Sequence, residues 1–129
     1  SMKRAVTTIL VAMLLVVAST AAFAEYDKST TVGVMRQNIQ NMRGLSTAVG
    51  TENYLAVAKS FAGLAQGSRA LLEMDPPRGS KADWERINNA LIDAALEGVI
   101  AAAAEDKGAI EAAKGKIGAL NKEGHAAFK

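Results

Sequence analysis

The stretch "LLEMDPPRGSKADWERI", Leu71 to Ile87, decides how this chain folds. Pro76 and Pro77 are adjacent, and a pair of prolines cannot stand inside a helix: each lacks the N–H that the ladder needs, and each ring collides with the preceding turn. To the left ends a pattern in which Tyr54, Val57, Phe61, Leu64, Ser68 and Leu71 recur three and four apart, flanked by Leu55, Ala58, Ala62, Ala65 and Leu72. That spacing is one face of a helix, running from a cap at Thr51 to about Glu73. To the right, Ser80 with Asp83 three residues on resembles a capping box. Trp84, Ile87, Leu91, Ala95, Val99 and Ala102 then take up the same period. Two long helices are therefore predicted on either side of a short break.

Working outward, two more stripes appear. From about Thr31 to Val49, apolar residues fall at Val32, Met35, Ile39, Met42 and Leu45 or Val49, and Gly50 follows as a stop signal. After the turn "AEDKG" (Ala104 to Gly108), with Asp106 as a cap, come Ile110, Ala113, Ile117, Leu120, Gly124 and Ala127 or Phe128. No stretch alternates in the manner of a strand. Four stripes joined by short loops predict an all-α, antiparallel, up-down-up-down four-helix bundle. Gly63 and Gly67, four apart, predict a close approach of two backbones.

Residues 1–24 read differently. Lys3 and Arg4 precede an apolar run from Ala5 to Ala18, and "STAAFA" ends in Ala22-Phe23-Ala24. A basic start, an apolar centre and small residues where a signal peptidase cuts make a secretory signal peptide. The run to Ala24 is just long enough to span a bilayer, but Thr7, Thr8, Ser19 and Thr20 dilute it, and its end favours cleavage. The expectation is export to the periplasm, removal of residues 1–24, and a bundle domain over 25–129 beginning at Glu25. An intact mass of exported protein that retains residues 1–24 would overturn it.

Charge and composition exclude several functions. Lys3 and Arg4 account for two of the 15 Lys+Arg, so residues 25–129 carry 13 against 13 Asp+Glu. Such a balance with mixed signs has no electrostatic footprint for nucleic acid. The chain has no cysteine and a single histidine, His125, so the familiar nucleophile triads are unsupported and no enzyme is expected. A di-iron bundle needs Glu-x-x-His, and Lys122 stands three before His125. A structural zinc site needs four N or S ligands. "GLAQGS" has no Lys after its second Gly and lies within a helix, so it is not a phosphate loop. Met35 and Met42, seven apart on one helix face, could form a soft-metal (copper) site with His125; methionines at helical spacing are otherwise core filler.

The tail "IGALNKEGHAAFK", Ile117 to Lys129, resembles the C-terminal haem motif of the cytochrome c-prime family. Gly118, Lys122, His125, Ala127, Phe128 and Lys129 match its frame, while Asn121 and Gly124 stand where the family has the two cysteines of Cys-x-x-Cys-His. "KADW" at Lys81 to Trp84 is similar to the family's Lys-x-x-Trp, and "MRQ" at Met35 to Gln37 looks like its first-helix Arg-Gln, although position 40 is Gln where a methionine often follows. The related soluble periplasmic b-type cytochrome has the same bundle and binds haem without cysteines, through an N-terminal Met and a C-terminal His. From Lys81 to Lys129 this chain looks alignable to it without a gap, and Met35 falls at its Met. The resemblance implies a bundle holding haem b non-covalently for electron transfer or gas binding. His125 and Met35 would be the axial ligands, Phe128 would lie beside the cofactor, and Arg36 and Lys129 would pair with its propionates. It also implies a homodimer through the first two helices. The missing thiols leave a second expectation, a haem-free bundle kept as a binding or interaction protein.

Overall fold

The computed structural model describes residues 25–129; the expected signal peptide lies outside them. Four helices follow one another: α1 (Lys28–Gly50), α2 (Tyr54–Leu71), α3 (Lys81–Ala103) and α4 (Lys107–Phe128). They form the antiparallel four-helix bundle that the four stripes predict, with no strand among the described residues. No described helix is long and apolar enough to cross a membrane.

Each helix begins on a side-chain cap that satisfies an amide the first turn leaves without a partner. Asp27 accepts from Ser29 N at 2.9 Å and Thr30 N at 3.3 Å. Those bonds, led by one from the Thr30 hydroxyl, hold its carboxyl below the ordinary value. Asn53 accepts from Ala56 N at 3.2 Å, Ser80 from Asp83 N at 3.1 Å and Asp106 from Ala109 N at 3.0 Å.

The first turn departs from the sequence expectation. α1 runs through Gly50, Thr51 is its C-cap, and Asn53, not Thr51, caps α2. The left-handed position falls on Glu52 (φ 55°). Asn53 N reaches Ala48 O at 2.9 Å and Glu52 N reaches Val49 O at 3.2 Å, the paired bonds of a Schellman ending. The α3–α4 turn repeats the device with Glu105 at φ 54° and with Asp106 N on Ala101 O at 3.0 Å. Two paired carbonyls per turn offset the roughly 1 kcal/mol cost of a left-handed non-glycine residue.

Lys107 pairs with Glu52, joining both turns at one end of the bundle. That hydrogen bond holds the Glu52 carboxyl below its ordinary 4.5 and the Lys107 ammonium above its ordinary 10.5. The pair therefore contributes fully between those values. The contribution is lost as pH falls through the lowered Glu52 value or rises through the raised Lys107 value. Glu52→Gln is expected to lower Tm at neutral pH and low salt, with the difference vanishing in strong acid and shrinking in high salt. A difference that persists in acid would show that the carboxylate is not its source.

Two apolar clusters fill the bundle. The larger one, toward the tight turns, centres on Leu45, Val57, Phe61, Ile110 and Ile117. The smaller one at the other end joins Leu71, Met74, Trp84, Ile87 and Phe128. There Trp84 donates its indole N–H to Leu71 O at 2.9 Å and meets Phe128 edge-to-face, with centroids 4.9 Å apart. Gly79, at φ 75°, brings the α2–α3 loop onto the end of α4: a Cβ there would lie 2.8 Å from Ala127 O and 3.1 Å from the Phe128 ring.

The stripes of α2, α3 and α4 are buried largely as their spacing predicts; α1 is not. Ile39 is 54% exposed and Val32 39% exposed, while Leu45 and Ala48 are buried. α1 is rotated so that Asn38 and Asn41 face α2. A Cβ on Gly63 would come 2.6 Å from Asn41 Nδ2, and one on Gly67 2.7 Å from Asn38 Oδ1. The two glycines thus admit asparagine side chains where the sequence predicts contact between backbones. The rotation swings Met35, Ile39 and Met42 toward the seam between α1 and α4. Helices pack in consecutive pairs, and α1 and α4 make no comparable contact.

Candidate functional site

The unclosed seam is a groove of about 800 Å³. Met35, Asn38, Ile39, Met42 and Arg43 of α1 line one wall; Asn121, His125 and the terminal Lys129 line the other. Antiparallel topology places the two ligand candidates together, because Met35 lies near the start of α1 and His125 near the end of α4. Behind the groove, inside the bundle, is a chamber of about 150 Å³. It shares Met35, Asn38, Asn121, His125 and Lys129 with the groove, and is walled by Leu71, Trp84, Ile87, Leu91, Leu120 and Phe128.

The structure brings some of the expected residues together and leaves one apart. His125 is exposed and lines both spaces. Met35 is half-buried against the Trp84–Phe128 cluster and lines both as well. Lys129 joins them. Phe128 lines the chamber, yet it is only 9% exposed, so its ring serves the core as much as any ligand. Arg36 is exposed and lines neither space. The cation on that wall is Arg43, one residue past Met42, which sequence reasoning missed. Met42 lines the groove with Met35 and His125, so the three soft-metal candidates face one space. Among the described residues, no three His, Cys, Asp or Glu side chains form a metal-holding group.

Asn38 and Asn121 were also missed as site residues. An asparagine on a helix face three residues past Met35 is the signal by which Asn38 could have been found. Neither space is lined by an aspartate or glutamate. The nearby carboxylates are paired elsewhere: Glu123, two residues before His125, takes Arg86 of α3 at 2.6 Å. That bond raises the Arg86 guanidinium further and ties the end of α4 to α3, on the side away from the groove.

These residues suit the group that the resemblance implies. Ligand sites commonly measure about 300–1,000 Å³ and are mostly apolar with a few placed polar groups. The groove has that size, an imidazole on one wall and a thioether on the other, and Arg43 and Lys129 as cations for acidic substituents. The inner chamber alone, at about 150 Å³, is too small for a porphyrin. No family model, curated protein or solved structure matches the chain.

Proposed function

We propose that this chain is a periplasmic four-helix carrier that holds haem b without covalent attachment in the groove between α1 and α4, and serves in electron transfer or gas binding rather than catalysis. The observation that carries this reading is the lining of one groove by both Met35 and His125, on the two helices that leave their seam open. His125 would supply the strong iron ligand through its imidazole, and Met35 a weaker one through its thioether. Arg43 and Lys129 would take the propionates, and Ile39 and Met42 would cover the ring's apolar face. A bound haem would supply a one-electron iron centre; the chain would hold it, shield it and provide its ligands. With no cysteine in the chain, attachment through thioether bonds is impossible.

A second reading has its own observation. Phe128 and Trp84 already pack edge-to-face, and Met35 rests on their cluster, so this end of the bundle holds itself together without a cofactor. A haem-free binding protein would look the same. Titration of the purified protein with haemin separates the two. A Soret band that saturates at one equivalent, with a sharp low-spin ferrous spectrum, supports haem carriage. Weak uptake that never saturates would sink it and leave the haem-free bundle.

A further inference from the structure

The chamber behind the groove has a composition of its own. Its volume of about 150 Å³ is that of a single aromatic ring. Away from the mouth that His125 and Lys129 share with the groove, much of its wall is Trp84, Phe128 and aliphatic side chains, the surfaces on which a ring packs. The helices nonetheless contribute uncharged polar side chains, Asn38, Ser68, Asn88 and Asn121, besides Thr31, whose hydroxyl is already spent on Asp27 O. A dry apolar pocket does not need them.

One of the four is already committed. Asn88 donates to Trp84 O at 2.9 Å, as Trp84 itself does to Leu71 O. The other three gather on one side, because Asn38, Ser68 and Asn121 together also line a separate void of about 10 Å³. The Asn38 carbonyl oxygen is buried without a partner against Gly67. That leaves the amide nitrogen as the end of Asn38 that can serve the chamber. Asn38 can donate there through its amide nitrogen, and Ser68 and Asn121 can each donate and accept, so this floor suits a group that both accepts and donates.

We infer that the chamber is a binding site for a one-ring aromatic bearing a hydroxyl group, a phenol, with the ring against Trp84 and Phe128 and the hydroxyl on the Asn38–Ser68–Asn121 floor. The ligand enters from the groove, whose wall the chamber shares at Met35 and His125. The site does not depend on haem carriage. A protein that takes haemin but no phenol overturns this inference alone; one that takes phenol but no haemin overturns only the haem reading.

Trp84 is the sole tryptophan and is buried, so its fluorescence reports the chamber directly. The haemin-free full chain is titrated with phenol and with benzene, exciting beyond the absorption of both, while NMR follows the side-chain amide signals of the asparagines. Phenol is expected to saturate the Trp84 response about tenfold more tightly than benzene, the worth of a hydrogen bond in a site of this kind. The Asn38 and Asn121 side-chain NH₂ signals should move with phenol and not with benzene. Ser68→Ala should narrow the preference. Should that variant misfold, the amide shifts in the unaltered protein decide the matter. Equal affinity for the two ligands, shifts confined to other residues, or no saturable response would each overturn the inference; the last would mean that the chamber holds water alone.

Discussion

His125→Ala is expected to abolish stoichiometric haemin binding, and Met35→Ala to keep the haem but turn it high-spin. The two ligands are unequal. In the proposed site imidazole would be the strong donor of the pair, so removing it would take away the bond that holds iron in the groove. Loss of a mere supporting partner costs a metal site about 10–100-fold in affinity, and loss of the ligand itself should exceed that. The thioether would contribute less to affinity, and its removal would leave the imidazole as the chain's one ligand to the iron. His125 is exposed, so its replacement should change stability by no more than about 0.5 kcal/mol. Weakened binding in that variant therefore reports ligation rather than unfolding. Met35 is half-buried, so circular dichroism of its variant must first show the bundle intact. Haemin binding of undiminished strength in His125→Ala would remove His125 from the site. A low-spin spectrum in Met35→Ala would remove Met35.

Gly98→Ala is expected to destabilise the bundle, against the usual rule for glycines in helices. Alanine gains about 1 kcal/mol over glycine in a helix interior, so α3 taken alone would profit. Gly98 is buried, however, and a Cβ there would stand 2.4 Å from Phe61 Cδ1 and 2.5 Å from two further ring atoms. Phe61 is fully buried in the main core, so its ring has little room to retreat. Overpacking of this sort costs about 1–3 kcal/mol, occasionally more, which outweighs the gain in propensity. Each kcal/mol lost should lower Tm by roughly 4–8 °C in a domain of this size. Gly115→Ala is the control. It lies mid-α4 in the open, with nothing within 4 Å of an added Cβ, and should stabilise by about 0.5–1 kcal/mol. In the Gly98→Ala background, Phe61→Leu should cost less than it does alone, because the two residues share one space. Equal stabilisation by Gly98→Ala and Gly115→Ala would contradict the close packing of α2 on α3.

Much of this molecule could be read from the chain alone, because the forces concerned are local. The proline pair ends α2 wherever the rest of the protein lies. Ser80 and Asp106 cap α3 and α4 through amides three residues away. The stripes through Phe61, Ile87 and Ile117 repeat with the period of the helix that buries them. Antiparallel order then puts Met35 and His125 at one end of the bundle. Tertiary structure decided the remainder. The rotation of α1 depends on the surface it meets: glycines at 63 and 67 open room on α2 for Asn38 and Asn41, and Ile39 turns outward as a result. A stripe on α1 can state which residues are apolar, but not whether a fourth helix will close over them. The choice of Arg43 over Arg36 at the groove, and of Glu52 over Gly50 at the left-handed position, follows from backbone paths set between helices. The chamber with polar side chains from all four helices exists only once all four have packed, since residues far apart in the chain become neighbours through the fold and through nothing in their spacing.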